Sequence, residues 1–235
     1  MKALILAAGL GSRLAPLTDN LPKSLVSVNG KPILMKQIEN LLENNINDIT
    51  VVSGYKANVL ENAVHTKYPK INIIESKDYI NTNNMYSAYL GIKSMGLSED
   101  FLMMNADVFF DSSVIKALID FEAKDSIVVD ICRYIEESMK VVEVDGKLVQ
   151  ISKDITFSKA LGCSIDVYKF SKEAGYNFFK KCEEYIDNGV LKKWSEVALN
   201  DILPTQNFKA CPLNGRWLEI DNHADLAAAE ELFKD

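Results

Sequence analysis

Two glycines, two cations and two distant aspartates have the residue types and spacing that phosphate chemistry requires. Gly9 and Gly11 follow a short apolar run at residues 3–8. Arg13 and Lys23 come soon after them. Glycine lets a ligand approach the main chain closely, and successive N–H groups in such a turn form a concave anion site to which a cation adds fixed charge. Residues 1–25 therefore predict a polyphosphate site at the end of a first strand.

Two common phosphate-binding loops do not match this stretch. A dinucleotide-binding loop needs a third glycine where this chain has Leu14. A P-loop needs Gly-Lys-Ser/Thr, but here Lys23 and Ser24 follow Pro22. The loop is therefore of another type, and an ordinary glycine turn between a strand and a loop remains the structural alternative.

Asp107 and Asp221 each follow a predicted strand, at residues 101–104 and 217–220. The carboxyl ends of parallel strands meet at one edge of a sheet, so Gly9, Gly54 and Asp107 should share that edge. A pair of carboxylates beside bound phosphate suits Mg²⁺. The alternative is structural, because either aspartate could cap the helix predicted to follow it.

The hydrophobic pattern predicts which elements position these residues. In the first half, strands at 3–8, 26–28, 49–53, 71–75 and 101–104 alternate with helices at 32–44, 58–67, 84–95 and 113–121. In the second half, shorter strands at 127–132, 141–144, 148–151, 161–168, 208–212 and 217–220 are interrupted by helices at 171–188 and 194–203, and a final helix starts near residue 222. We expect an α/β fold: a Rossmann-like, mostly parallel sheet flanked by helices, with a small mixed β subregion.

Composition excludes several classes of protein. The 235 residues are 48% hydrophobic and 25% charged, and the net charge of -7 argues against non-specific binding of nucleic acid. No stretch approaches the roughly 18 to 20 apolar residues of a membrane span, and the short apolar start is typical of a strand rather than a signal sequence. The four scattered cysteines and two histidines favour reduced thiols in a cytoplasmic protein.

The complete N-terminal stretch resembles one family. Gly-x-Gly-Ser-Arg-Leu, a proline, a threonine and Pro-Lys occur in the order and spacing of nucleotidyltransferases that join a nucleoside triphosphate to a phosphorylated sugar or alcohol. The resemblance implies that Asp107 and Asp221 bind a catalytic Mg²⁺. It also implies that Arg13 and Lys23 neutralise the triphosphate while a phosphomonoester attacks its α-phosphorus. These four residues form the expected catalytic set.

A second segment narrows the resemblance. Asn83-Asn84-Met-Tyr86-Ser87 is similar to the Asn-Asn-x-Tyr-Ser segment of bacterial-type phosphocholine cytidylyltransferases, in which it lies beside the base. The alternative is that an asparagine caps a helix and the tyrosine belongs to the core. The expected nucleotide-binding residues are Leu6, Ala7, Ala8, Gly9, Gly11, Ser12, Arg13, Lys23, Gly54, Tyr55, Asn84, Ser87 and Asn105. We expect a single domain over residues 1–235, with a nucleotide-binding half at about 1–125 and an acceptor-binding half at about 126–235.

The acceptor is less clearly indicated. A quaternary ammonium requires aromatic faces and a nearby carboxylate. The expected acceptor-binding residues are Lys153, Trp194, Glu196, Trp217 and Glu219, with Lys159 as an alternative to Lys153; each tryptophan has a core position as its structural alternative. Choline-specific relatives carry a further aromatic residue where this chain has Met139 and Lys140. Other amino-alcohol phosphates, phosphonates and sugar phosphates therefore remain open.

Three functions follow as hypotheses. The first is transfer of CMP from CTP to a small phosphorylated alcohol such as phosphocholine, by an Mg²⁺-dependent enzyme that is a monomer or homodimer and binds neither nucleic acid nor membrane. The second is a sugar-1-phosphate nucleotidyltransferase that uses UTP or dTTP. The third is a non-catalytic nucleotide sensor, which the presence of all four expected catalytic residues disfavours.

Overall fold

The computed structural model describes residues 1–234. The first half contains strands β1 (Lys2–Ala7), β2 (Ser27–Val28), β3 (Lys31–Pro32), β4 (Asp48–Ser53), β5 (Asn72–Glu75), β6 (Phe101–Asn105) and β7 (Val108–Phe110). Its helices are α1 (Ile33–Glu43), α2 (Ala57–Lys67), α3 (Asn84–Met95) and α4 (Ser112–Asp120). The predicted alternation is confirmed, but β3 and β7 were not predicted. β7 has only three residues, too few to show a period.

The second half contains strands β8 (Asp125–Ile131), β9 (Lys140–Val144), β10 (Lys147–Ser152), β11 (Gly162–Phe170), β12 (Phe208–Pro212) and β13 (Trp217–Glu219). Its helices are α5 (Lys172–Asp187), α6 (Ser195–Ile202) and α7 (His223–Leu232). Asp145-Gly146 forms the predicted turn of the β9–β10 hairpin, and both residues have positive φ. The bounds differ from the predicted ones by one or two residues at most ends, as element ends usually do.

A mixed sheet joins the two halves. Across residues 1–234 it has nine strands, with β10-β9-β11-β6-β1-β4-β5 in spatial order and β8 and β12 branching from β11. Strands β6, β1, β4 and β5 run parallel to one another, whereas β11 runs antiparallel to β6. The α/β fold with a largely parallel central sheet is therefore confirmed.

β1 explains why helices cover both faces of the sheet. Successive side chains of a strand point to opposite faces, and residues 3–7 are all buried. Ala3 and Ile5 pack in a cluster with residues of α1, α2 and α4, whereas Leu4 and Leu6 pack in a second cluster with residues of α3, α5 and α6. A strand buried on both sides reads as a continuous apolar run, which is why the sequence predicts it well.

The carboxyl ends of the parallel strands lie at one edge, as predicted. Leu6 pairs with Asn105 of β6, and Ala7 pairs with Ser53 of β4. The loops after β1, β4 and β6 therefore leave the sheet side by side. Three of the four cysteines are buried and all four are free. In the described part of the chain, no helix combines the length and the apolar character needed to cross a bilayer.

Candidate active site

The loop after β1 requires glycine at one position. Gly11 has φ 64° and ψ 32°, in the left-handed region, and its carbonyl accepts a hydrogen bond from Thr18 Oγ1 at 2.9 Å. A Cβ built on Gly11 would lie 2.6 Å from Cβ of Lys23, so any larger residue would displace the lysine. A Cβ on Gly9, by contrast, would meet no atom within 4 Å. Gly11 is therefore required by the fold, whereas Gly9 leaves open space above the loop.

Two short strands bring the distant aspartates together. β13 pairs antiparallel with β7, and Glu219 lies opposite Val108. The N–H group of Ile220 donates to the carbonyl of Asp107 at 2.9 Å, which extends this pairing to the aspartate itself. Asp107 and Asp221 consequently meet at the edge of the sheet, although they are far apart in the chain.

The capping alternative is wrong for both aspartates. Asp111, not Asp107, precedes α4. Asn222 caps α7, accepting from the N–H groups of Ala224 and Asp225 while the Asp225 carboxylate accepts from the N–H of Asn222. This reciprocal capping box satisfies the start of the helix without Asp221. Both carboxylates are therefore available to the site.

Lys23 lies between the two aspartates. Its Nζ donates to Asp107 Oδ2 at 2.9 Å and to Asp221 Oδ1 at 2.6 Å, and Arg13 contacts Asp221 Oδ2 at 2.8 Å. Burial alone would lower the pKa of Lys23, but the charges of Asp107 and Asp221 outweigh it and raise that pKa. Likewise, burial would raise the pKa of Asp221, and Lys23 and Arg13 hold it below its usual value. The lysine is thus a fixed positive charge between two carboxylates.

Three carboxylates fit a divalent cation. One oxygen from each of Asp107, Glu219 and Asp221 lies within 4.8 Å of the others. Asp107 Oδ1 is buried and accepts no hydrogen bond from any residue in the described chain, so it is an oxygen still lacking a partner. Burial, followed by the charges of Asp107 and Asp221, raises the pKa of Glu219 to about 7. Crowded oxygen ligands of this kind are what a hard cation such as Mg²⁺ would neutralise.

Asparagines connect the elements around the cleft. The Asn83 side chain caps α3 by accepting from the N–H of Asn84 at 2.8 Å. Asn84 Oδ1 accepts from the N–H of Ser195 at 2.9 Å, and its Nδ2 donates to Asn105 Oδ1 at 3.4 Å. Asn105 Nδ2 in turn donates to Asp166 Oδ2 at 2.9 Å. The starts of α3 and α6 are thereby fixed to the end of β6.

One cleft, with a cavity volume of about 260 Å³, collects most of the expected residues. Those that line it are Leu6, Ala8, Gly9, Arg13, Asn84, Ser87, Asn105, Asp107, Lys153, Trp194, Glu196, Glu219 and Asp221. Lys23 does not line the cleft, but it contacts two residues that do, Asp107 and Asp221. Residues from both halves of the chain therefore form a single site.

Several expected residues lie off this cleft. Gly54 is tight against Ala8 and Tyr79, with 2.7 Å from a built Cβ to the carbonyl oxygen of Ala8, and the Tyr55 hydroxyl donates to the Asp19 carbonyl at 2.8 Å. The others outside the lining are Ala7, Gly11, Ser12, Lys159 and Trp217. Ala7 is buried in the core and Lys159 is exposed. Gly54 and Tyr55 lie at the same edge of the sheet as the cleft. They contact the loop that follows β1, through Ala8 and Asp19, rather than the cleft itself.

Trp217 differs most from expectation. Its side chain is 4% exposed and packs in the core cluster that contains β1, and its Nε1 donates to Asp130 Oδ2 at 2.8 Å. The expectation that it lines the acceptor pocket is therefore wrong. Trp217 and Glu219 are two residues apart and lie on the same side of β13. Trp217, at the start of the strand, reaches the core, whereas Glu219, at its end, reaches the cleft.

Other cleft residues were not among the expected site residues: Tyr79, Thr82, Asn83, Met139 and Asp166. Asn83 was noted only as part of the Asn-Asn-x-Tyr-Ser segment. Met139 was noticed only as a departure from an aromatic position. Asp166 lies within β11, where the pairing with β8 shifts register and φ is 57°. Such a bulge redirects a side chain, and its only sequence signal is an aspartate in the middle of a mostly buried strand.

A glycine loop, two cations and three carboxylates meet at the carboxyl edge of an α/β sheet. This combination is typical of enzymes that act on phosphorylated substrates. Residues 2–146 match the nucleotidyl transferase family model, so the chain belongs to the nucleotidyl transferase family.

Three comparisons describe what this chain is similar to. It is 28% identical over 252 residues to the CTP:phosphoglutamine cytidylyltransferase of Campylobacter jejuni, covering 96% of this chain and 98% of that one. It is 48% identical over 90 residues to the choline-phosphate cytidylyltransferase of Streptococcus pneumoniae, 38% of each chain. The solved structure of the CTP:phosphocholine cytidylyltransferase from Streptococcus pneumoniae has a TM-score of 0.80 and 26% identity, over 99% of both chains.

Replacing Trp217 by phenylalanine tests its structural role. We expect Trp217→Phe to lower the free energy of unfolding by about 1–3 kcal/mol, because the charged carboxylate of Asp130 loses the hydrogen bond that the indole N–H donates to it. The KM for any phosphorylated acceptor should stay within about a factor of two, or about 0.4 kcal/mol, because Trp217 is buried and does not line the cleft. Denaturant unfolding and steady-state kinetics measure the two effects. A several-fold rise in KM at unchanged stability would return Trp217 to the binding site.

Proposed function

We propose that this protein is an Mg²⁺-dependent cytidylyltransferase that transfers CMP from CTP to a small phosphorylated alcohol or phosphonate and releases pyrophosphate. The observation that carries the proposal is the contact of Lys23 with both Asp107 and Asp221 at the mouth of the glycine loop. The similarity to cytidylyltransferases over nearly the whole chain supports CTP as the donor.

The chain's own cations would receive the triphosphate. Arg13 is exposed, lines the cleft and contacts the same carboxylate as Lys23, so both positive charges lie beside Asp221. Preorganised cations stabilise the charge that develops on a departing pyrophosphate, and cost no reorganisation during the reaction. A bound Mg²⁺, held by Asp107 and Asp221, would supply further charge neutralisation. Glu219 lies close enough to these two carboxylates to contribute a third oxygen ligand.

The acceptor would attack in line. An oxygen of its phosphate forms a bond to the α-phosphorus as the bond to pyrophosphate breaks, and no general base is needed because the phosphate is already an anion. Lys153 lines the cleft beside Trp194 and would hold the acceptor phosphate. Catalysis is then mainly positioning and charge neutralisation.

A substrate panel tests this function. Pyrophosphate release is measured with each of ATP, CTP, GTP and UTP, and with dTTP, against amino-alcohol phosphates, phosphonates and hexose 1-phosphates, with Mg²⁺ and with excess EDTA. We expect release with CTP and an amino-alcohol acceptor, abolished by EDTA. Release with UTP or dTTP and a hexose 1-phosphate would establish the sugar-nucleotide alternative instead. No release with any pair would favour nucleotide sensing.

A further inference from the structure

An acid cluster lies on the acceptor side of the cleft, formed by Asp166, Tyr168 and Glu196. The Tyr168 hydroxyl is 2.7 Å from Glu196 Oε1 and 3.0 Å from Asp166 Oδ1. Tyr168 is 1% exposed and Glu196 is 3% exposed, yet the carboxylates of Asp166 and Glu196 line the cleft. None of these three residues has a task in the transfer step described above.

Within the described chain, one carboxylate oxygen of the acid cluster lacks a hydrogen-bond donor, although Asn105 and Ser164 also donate to Asp166. A tyrosine hydroxyl carries one proton and can donate to only one of its two carboxylate neighbours. Ser195 Oγ lies 3.1 Å from Glu196 Oε1, but Glu196 Oε2 is buried and accepts no hydrogen bond from any residue among 1–234. A buried acceptor without a partner is costly, and such atoms in native proteins usually await a ligand, a water or an ion.

The surrounding charge favours a cation with N–H groups. Burial first, and then the charges of neighbouring carboxylates, raise the pKa of Asp166. In the described residues no lysine or arginine donates a hydrogen bond to either acid of the cluster, and Lys153 acts on Glu196 only through its charge. A ligand that brings both positive charge and hydrogen-bond donors would satisfy Glu196 Oε2 and relieve the repulsion between the acids.

The aromatic surroundings do not suit a quaternary ammonium. Such a cation cannot donate hydrogen bonds and is held by several aromatic faces. Trp217 lies in the core, and Trp194 already has the Lys153 ammonium 5.3 Å from its ring centroid. Tyr79 lines the cleft but packs edge-on against Tyr55, on the β4 side of the cleft. No aromatic cage faces the acid cluster in the part of the chain that the structure describes.

We propose that the acid cluster binds a protonated primary amine on the acceptor, with Glu196 and Asp166 as hydrogen-bond acceptors and Tyr168 as the positioning residue between them. This inference rests on the proposed function and names its substrate class. The acceptor is a small phosphomonoester or phosphonate whose organic end is a primary ammonium rather than a trimethylammonium.

Matched acceptors test the inference. CTP-dependent pyrophosphate release is measured with 2-aminoethyl phosphate and with its N-methyl, N,N-dimethyl and N,N,N-trimethyl forms. We expect kcat/KM to fall with each methyl group and to be about tenfold or more higher for the primary amine than for the trimethyl form, as loss of hydrogen bonds between charged groups predicts.

Glu196→Gln keeps the size of the side chain and removes its charge. We expect it to raise the KM for 2-aminoethyl phosphate about tenfold or more and to leave the KM for CTP unchanged, so that the preference over the trimethyl form is lost. Tyr168→Phe should raise the same KM by a smaller factor. Glu122→Gln, at an exposed position beyond α4, is the matched control and should change neither constant. Circular dichroism checks that each variant is folded.

The outcomes separate the inference from the proposed function. Equal or better turnover of the trimethyl form overturns the inference and leaves cytidylyl transfer standing. A folded Glu196→Gln protein, or a folded Tyr168→Phe protein if the first does not fold, with unchanged preference also overturns it. Turnover of CTP only with acceptors that lack an amine does the same. If no triphosphate and acceptor pair releases pyrophosphate, the proposed function fails and the inference fails with it.

Discussion

Replacement of Asp107 by asparagine is expected to lower kcat by about a thousandfold or more while the protein remains folded. The amide has the same size as the carboxylate, but it lacks the charge that would hold a cation beside the triphosphate. Asp107 Oδ1 has no hydrogen-bond donor in residues 1–234, and Lys23 keeps its ion pair with Asp221 when the charge of Asp107 is removed. The measurement is CTP-dependent pyrophosphate release under single-turnover conditions.

A second readout links this loss to the cation. Mg²⁺ with CTP should raise the unfolding temperature of the unmodified protein by mass action, and Asp107→Asn should lose most of that rise. Asp120→Asn is the matched control, because Asp120 ends α4 with its side chain 62% exposed and forms a surface ion pair with Lys116. A rate for Asp107→Asn within tenfold of the unmodified protein would remove Asp107 from the mechanism.

Replacement of Lys23 by methionine is expected to affect both activity and stability. Activity should fall by about 100- to 1,000-fold, because a preorganised cation at the triphosphate is lost. The free energy of unfolding should fall by about 2–4 kcal/mol, since Asp107 and Asp221 would face each other without a counter-charge. This is below the full cost of breaking a buried pair, because the two carboxylates keep 26% and 20% of their side-chain surface exposed.

Magnesium distinguishes the two effects of Lys23→Met. Because a divalent cation can replace the lost charge between the carboxylates, millimolar Mg²⁺ should recover part of the stability and little of the activity. Lys116→Met provides the control: this lysine is 71% exposed, and loss of its surface ion pair should change stability by less than about 1 kcal/mol. Stability of Lys23→Met equal to that of the unmodified protein would show that the two aspartates do not depend on the lysine.

The site itself was only partly predictable. Periodicity located β1 and β6 because strands buried on both faces are continuous apolar runs, and strand direction then placed Gly9 and Asp107 at one edge. Asp166 could not be located in this way, because its position depends on a bulge that no spacing reveals. Trp217 was misplaced because a tryptophan two residues before a glutamate looks the same in sequence whether it faces a pocket or the core.

The sequence by itself determined the α/β fold, the glycine loop, the two cations and the pair of strand-end aspartates, because each is set by local residue type and periodicity. Only the tertiary structure decided which of these residues meet. The pairing of β7 with β13 brings Asp221 to Asp107 and Lys23, and the bulge in β11 turns Asp166 toward Glu196. These are contacts between segments far apart in the chain, and their register depends on packing across the whole sheet rather than on any single stretch of sequence.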